Sequence, residues 1–297
     1  MRTASVFLAC VGLAGAVSAA NADILLQEIL RGDVSAATNT ASPWFMGKGL
    51  AAIAWDGTNA YLAGQSFDGA GAGIIKVTPA PGTTSVAYQL SGAFGSVIPV
   101  AATRGYQDLA LGPNGKIGAA LDNGAGQANG FQIFNTDGTG GVSATFNTRG
   151  NGVHWDPIDG HFTGIALGSG RVSKLNNDGS TYNDGVKNWD TTTGPIINTA
   201  SIGGGTSTYR DMTMDNAGNL YFRAQNAIGK ATRNGDGLGY SGLTELRASG
   251  STNVNGQNIE FASSPSNAFG DALFFSDRIT TSLGQSIQNV IKAIDVS

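Results

Sequence analysis

Residues 209–222 read YRDMTMDNAGNLYF: a polar entry, an apolar–small–apolar triplet, an Asp/Asn/Gly turn and a second apolar segment. Four more copies of this phrase lie along the chain, with triplets that end at Trp55, Leu111, Trp155 and Ser263. Neighbouring triplets are 44 to 59 residues apart. Strand–turn–strand units at this period are typical of repeats that each form one small β-sheet. The spacing therefore predicts an all-β repeat protein.

The lengths of the units predict a five-bladed β-propeller with four antiparallel strands per blade. The predicted fifth blade has only three strands before the sequence ends, and the segment 23–31 reads as a lone strand. Pairing the two would close the ring and remove exposed strand edges. A six-bladed ring is the alternative, but only 34–48 is left over for another unit. The predicted blades are 49–91, 106–148, 151–202, 209–249, and 258–297 together with 23–31.

Side chains alternate in size along each predicted innermost strand. Leu109 and Leu111 flank Ala110, and Met212 and Met214 flank Thr213. Since successive side chains of a strand point to opposite faces, the large set lies on one face and the small set on the other. We expect the large set to pack against a neighbouring blade and the small set to permit close approach.

Composition excludes some classes of partner. The chain has 297 residues, 13 % of them charged, with 45 glycines and a net charge of −4. Its 17 basic residues are scattered along the sequence. Without a basic patch the chain lacks the electrostatic footprint of a protein that binds nucleic acid or an anionic membrane.

The first 22 residues are typical of a signal peptide. Arg2 precedes an apolar run from Val6 to Val17, and Ala20-Asn21-Ala22 resembles a cleavage site. Cys10, the one cysteine of the chain, lies within this segment, so the mature chain would form no disulfide. We predict a single propeller domain at 23–297 without a membrane span, located in the periplasm, on the cell surface or outside the cell.

The 209–222 phrase resembles the blade signature of NHL-type and gluconolactonase-type (senescence-marker-like) propellers, and Phe269 to Asp277 is similar to a degenerate last copy. The resemblance implies the fold. It also implies, for gluconolactonase-type enzymes, a divalent metal held by a Glu, two Asn and an Asp, a set that cannot be placed in this chain. The glycine-rich, cysteine-free body is also similar to exported PEP-CTERM proteins, although Ser297 is not preceded by their sorting tail.

The best candidate site lies where the innermost strands begin, because these ends surround one mouth of a propeller's channel. Three of the five blades place a carboxylate there: Asp108, Asp211 and Glu260. Their neighbours are candidate ligand contacts: Tyr106, Gln107, Tyr209, Arg210 and Asn258.

Three roles are open to these carboxylates. They could act as general acid and as nucleophile or base in the cleavage of a glycoside. They could hold Ca²⁺, which takes several oxygen ligands. They could also accept hydrogen bonds from backbone N–H groups and so fix the loops that enter the strands.

Two functions follow from these roles. The first is an exported, non-catalytic propeller that binds a small molecule, a glycan or a protein, or serves as a scaffold. The second is an extracellular enzyme that hydrolyses glycosides or lactones through Asp108, Asp211 and Glu260. Catalysis requires a carboxylate that is free in a concave site and has a perturbed pKa, whereas a structural role requires all three to be bonded to backbone.

Overall fold

The structure is a computed structural model that describes sixteen stretches of the chain. All regular structure within them is β-strand. The described residues are 49–65, 74–78, 89–94, 105–122, 129–137, 139–140, 142–146, 149–166, 170–190, 193–197, 209–224, 227–237, 239–247, 259–263, 271–280 and 286–296.

Five antiparallel sheets are present in these residues. The first contains β1 (Gly49–Trp55), β2 (Ala60–Gln65), β3 (Ile74–Thr78) and β4 (Gln89–Phe94). The second contains β5 (Tyr106–Gly112), β6 (Lys116–Leu121), β7 (Asn129–Asn135) and β8 (Val142–Phe146). The third contains β9 (Gly150–Asp156), β10 (His161–Ala166) and β11 (Val172–Leu175). The fourth contains β12 (Tyr209–Met214), β13 (Leu220–Ala224), β14 (Ile228–Arg233) and β15 (Tyr240–Arg247), and the fifth β16 (Ile259–Ser263), β17 (Asp271–Thr280) and β18 (Ser286–Asp295).

Each sheet is a meander in which strands pair in chain order. The first strands of successive sheets contact one another: β1 with β5, β5 with β9, β9 with β12, and β12 with β16. This arrangement places the first strands side by side at the centre, as in a propeller. The predicted closing strand 23–31 lies outside the described residues, so ring closure and the number of blades stay predictions.

The third sheet differs from the others because of a polar insertion after β11. Its described residues 177–190 and 193–197 run alongside β11, where the Val172 N–H donates to the Pro195 carbonyl and the Lys174 N–H to the Trp189 carbonyl. Beyond β11, one isolated bridge joins Arg171 to Ile196, and 198–202 of the predicted blade lie outside the described residues. The sheet thus replaces a regular outer strand with an irregular one.

The two side-chain faces of the innermost strands pack as their sizes predict. Leu109 and Leu111 of β5 pack against the first sheet, whereas Ala110 belongs to the core shared with the third sheet. Met212 and Met214 of β12 pack against the third sheet in the same way. The second and fourth sheets thus each insert large side chains of their first strand into the preceding sheet. Full burial of one such side chain contributes about 1.5–3 kcal/mol.

Glycines on the second strands make room for aromatic rings of adjacent sheets. A Cβ at Gly118 would lie 2.5 Å from the Phe162 ring, and a Cβ at Gly164 would lie 2.3 Å from the Phe131 ring. Because real Cβ contacts are not this short, both positions require glycine as long as the rings stay in place. The second and third sheets therefore pack through reciprocal ring–glycine contacts.

Within the described residues, no helix is long and apolar enough to cross a bilayer.

Candidate functional site

The starts of the innermost strands are shaped by β-bulges. The register of β5 against β6 shifts between Tyr106 and Asp108, and the register of β12 against β13 shifts between Tyr209 and Asp211. A bulge re-aims the side chains on its two sides, so residues two apart no longer share a face. It separates each tyrosine from the carboxylate that follows it.

Asp108 hydrogen bonds to the backbone of two strands. Its Oδ1 accepts from the Leu109 N–H at 2.8 Å, and its Oδ2 accepts from the Val153 N–H of β9 at 2.8 Å. The innermost strand of a propeller has one edge that faces the channel and has no further strand to pair with. Asp108 supplies the acceptor that this edge of β9 lacks.

Asp211 repeats this arrangement two blades further on. Its Oδ1 accepts from the Met212 N–H and its Oδ2 from the Ile259 N–H of β16, each at 2.8 Å. Thr213 adds a parallel contact, since its Oγ1 accepts from the Phe261 N–H at 3.2 Å. Each aspartate thus fixes the next blade to its own.

The two aspartates also meet each other, with their carboxyl groups in hydrogen-bonding contact. Burial raises the pKa of Asp108, and burial together with the Asp108 charge raises the pKa of Asp211 well above its usual range. A hydrogen bond between two carboxyl groups requires a proton on one of them. A pair in this contact can hold one proton between its two carboxyl groups.

Glu260 is the third predicted carboxylate, and its environment is different. Its side chain is exposed to solvent and has no hydrogen-bond partner among the described residues. Protein atoms nevertheless surround it, and this burial, followed by the Asp108 charge, raises its pKa to about 8. The solvent contact limits this rise in pKa. Of the three carboxylates, Glu260 alone has no hydrogen-bond partner among the described residues.

The flanking residues divide into two groups. Tyr106 and Tyr209 are each 1 % exposed and lie in the cores between sheets. Their hydroxyls donate internally, Tyr106 to Gln132 Oε1 at 2.5 Å and Tyr209 to the Ile197 carbonyl. Both tyrosines therefore point away from the mouth. Gln107 and Arg210 are half-buried beside the aspartates, and Asn258 lies outside the described residues.

The described residues of the mouth do not fit a calcium site. The described part of the chain contains no group of three or more His, Cys, Asp or Glu side chains placed to hold a metal ion. The oxygens of Asp108 and Asp211 accept N–H donors or share a proton, whereas Ca²⁺ needs several free oxygen ligands.

A charged cluster at the opposite end of β9 was not predicted. Asp156 Oδ2 lies 3.2 Å from Lys174 Nζ and 2.6 Å from Arg233 Nη1, and Asp159 Oδ2 contacts Lys174 and lies 3.0 Å from Arg233 Nη2. Lys174 is 1 % exposed and also lies over the Trp189 ring, 4.6 Å from its centroid. The sequence signal for this cluster was weak, since it consisted of one lysine inside an apolar strand.

The cluster fixes the third sheet to the fourth, because Arg233 comes from β14 and the other three residues from the third sheet. Although burial opposes it, contacts with His161 and Lys174 and the charge of Arg233 hold the pKa of Asp159 well below its usual range. All four charges are internally balanced. This cluster is a structural lock and leaves no charge for a ligand.

The comparisons with known proteins identify the fold. No family model matches the chain, and no curated protein matches it. Among solved structures, an auxiliary nutrient binding protein from Bacteroides thetaiotaomicron VPI-5482 aligns over 80 % of this chain and 56 % of its own, with 12 % identity and a TM-score of 0.53. Virginiamycin B lyase from Staphylococcus aureus aligns over 84 % of this chain and 70 % of its own, with 14 % identity and a TM-score of 0.50.

A luciferin-regenerating enzyme aligns over 76 % of this chain and 68 % of its own, with 14 % identity and a TM-score of 0.50. The chain spans little more than half the length of the nutrient-binding neighbour. At these identities the likeness shows architecture alone. The chain has the β-propeller fold, shared with binding proteins and enzymes alike.

Proposed function

We propose that this chain is an exported, non-catalytic propeller that binds a small polar molecule at the channel mouth, with Glu260 as the principal ligand contact. The observation that supports the proposal most directly is the unequal state of the three carboxylates. Asp108 and Asp211 are bonded to backbone and to each other, whereas Glu260 faces solvent without a partner among the described residues.

Catalysis of glycoside cleavage would need two carboxyl groups free to act on the substrate. Here the oxygens of Asp108 and Asp211 each accept a backbone N–H, so attack or proton abstraction by either would break the contacts between blades. Only Glu260 remains. A single available carboxyl group supports ligand binding, whereas glycoside cleavage through two carboxylates would need a second one.

The state of Glu260 favours a neutral, polar ligand. Because burial raises its pKa, its carboxyl group keeps its proton to higher pH than an ordinary glutamate does. A protonated carboxyl group both donates and accepts hydrogen bonds, as the hydroxyl groups of a sugar do. Binding sites for small molecules commonly combine an apolar wall with a few such polar groups.

Two further lines of support concern context. The signal-peptide-like segment 1–22 favours export. Proteins named auxiliary nutrient binding proteins, from Bacteroides thetaiotaomicron and Bacteroides ovatus, share the architecture. Uptake or retention of a nutrient outside the cytoplasm is compatible with both.

The raised pKa of Glu260 also favours a second candidate, a lactone or glycoside hydrolase in which Glu260 is the general acid. Such an enzyme would need a general base, and that base would have to come from residues outside those described.

Thermal unfolding with a panel of monosaccharides, disaccharides and neutral amino acids, each at millimolar concentration, tests the binding proposal. We expect at least one sugar to raise the Tm of the wild type and of Glu245→Gln, a half-buried site on the outer strand β15. The rise should be absent in Glu260→Gln. No response to any compound, or an equal response in Glu260→Gln, contradicts the proposal. Hydrolysis of a nitrophenyl glycoside or a lactone that is lost in Glu260→Gln would favour the enzyme instead.

A further inference from the structure

We propose that Asp108 and Asp211 form a proton-dependent clasp that joins the second, third, fourth and fifth sheets at the channel mouth and loosens when the shared proton is lost. The clasp is independent of the ligand proposed for Glu260. It rests on the position of the two carboxyl groups relative to the blades.

The two aspartates connect four strands. Asp108 belongs to β5 and bonds to β9, while Asp211 belongs to β12 and bonds to β16. The contact between the two carboxyl groups then connects these two bridged pairs. The carboxyl–carboxyl contact thus links four successive innermost strands.

The intervening blade leaves room for this contact. The position in β9 equivalent to Asp108 and Asp211 is Gly152. A Cβ there would lie 2.5 Å from the Met212 nitrogen, so any other residue would push β12 away from β9. Asn151, beside it, donates from Nδ2 to the Tyr209 carbonyl at 2.6 Å and holds β12 close. The sequence of this blade lets the two flanking aspartates meet.

The proton balance is simple. In the joined state, the O–H of one carboxyl group donates to the carboxylate of the other, and the pair has one negative charge. When hydroxide or water removes that proton, two carboxylates remain in contact within a poorly solvated site, and attraction becomes repulsion. The N–H donors of β9 and β16 stay on the aspartates, so the repulsion acts on all four strands.

Several charged and titratable groups surround the pair. Glu260 on β16 adds negative charge on the same side. His154 on β9 has its pKa lowered to about 4 by burial and is neutral. Arg149 pairs with Asp122 at 3.2 Å, where β6 ends and β9 approaches. Arg210 is half-buried next to Asp211, and Arg223 on β13 lies opposite Asp211 in the register and over the Phe275 ring.

The direction of the pH effect follows from linkage. Both aspartates bind protons more tightly in the folded chain than in the unfolded chain, where the pKa of Asp is about 3.9. Their contribution to the free energy of unfolding is therefore fully present below about pH 4. It is lost as the pH rises through the raised pKa values that the two aspartates have in the folded chain. The mouth should loosen from weakly acidic pH towards alkaline pH.

Urea unfolding of the full chain at several pH values between 5 and 9 tests the clasp, in the wild type, Asp108→Asn and Asp211→Asn. Asp56→Asn, at the opposite end of an innermost strand, is the matched control. We expect the wild-type and Asp56→Asn midpoints to fall as pH rises, and the pH dependence to be much smaller in either clasp variant. A wild-type midpoint that rises over this range, or an undiminished pH dependence in the clasp variants, overturns the proposal.

Infrared spectroscopy keeps the test decisive if the clasp variants fail to fold. In Glu260→Gln, which retains both aspartates, the C=O stretching band of a protonated carboxyl group should persist at neutral pH and disappear as the pH is raised. Absence of that band at neutral pH in the folded protein contradicts the shared proton.

Discussion

The two ends of the innermost strands contain the same residue, aspartate, in opposite electrostatic states. At the mouth, Asp108 and Asp211 lie against each other and their pKa values are raised. At the far end, Asp56 accepts the Thr58 and Asn59 N–H groups and the Tyr61 hydroxyl. Although burial opposes it, these bonds, foremost that of the Asn59 side chain, lower the pKa of Asp56. The number of donors around an aspartate, and not the residue type, decides its charge.

The far end also varies from blade to blade. Asp215 repeats the turn of Asp56, since its Oδ1 accepts from the Ala217 and Asn219 N–H groups at 3.0 and 2.8 Å. Asp156, at the same position in the third blade, keeps one such bond, to the Ile158 N–H, and turns its other oxygen to Lys174 and Arg233. One repeat position therefore serves as a turn cap in two blades and as part of a buried lock in a third.

The largest expected effect comes from breaking this lock. Lys174→Met should lower the free energy of unfolding by about 4 kcal/mol, because it leaves Asp156 and Asp159 buried with one cation fewer. Urea denaturation at neutral pH measures the loss. Lys187→Met is the matched control, since Lys187 also lies over Trp189 but is 24 % exposed, and should cost less than about 1 kcal/mol. Equal losses in both variants would mean that the lock does not contribute.

Removal of the Asp211 carboxyl group should have the next largest effect on stability. Asp211→Ala leaves the Met212 and Ile259 N–H groups without an acceptor but also removes a buried carboxyl group, so we expect a net loss of about 2 kcal/mol. Chemical denaturation at pH 7 is the measurement, with exposed Asp236→Ala as control. A variant as stable as the wild type would show that these N–H groups find water instead.

A turn aspartate at the far end should matter less. Asp215→Ala removes a cap from a solvent-exposed turn, where the freed N–H groups can bond to water, and should cost about 1 kcal/mol. Urea denaturation at pH 7 measures the loss. A loss as large as that of Asp211→Ala would contradict the contrast between the two ends.

The smallest effect on stability is expected at Glu260. Glu260→Gln changes an exposed side chain without a partner in the described residues and should shift the free energy of unfolding by less than about 0.5 kcal/mol. Thermal denaturation in the absence of any ligand measures the shift. A loss comparable to that of Asp211→Ala would assign Glu260 to the scaffold and withdraw it as a ligand contact.

Part of the site could be predicted from the sequence. The repeat alignment placed Asp108, Asp211 and Glu260 at one end of the innermost strands, and the structure brings the first two into contact. The same alignment also put Tyr106 and Tyr209 at the mouth, but both are buried in the cores. The bulges between each tyrosine and its aspartate cause this difference, because strict alternation cannot reveal a local change of register.

The sequence by itself determined the repeat, the strand order within the described sheets and the face on which large side chains pack, since these depend on local periodicity. Only the tertiary structure decided which aspartates lie against each other, which accept N–H groups and which pair with cations. Asp156 and Arg233 are 77 residues apart, and Asp211 bonds to a strand 48 residues away. Contacts between blades are fixed by how the sheets pack together, and charge states follow from those contacts.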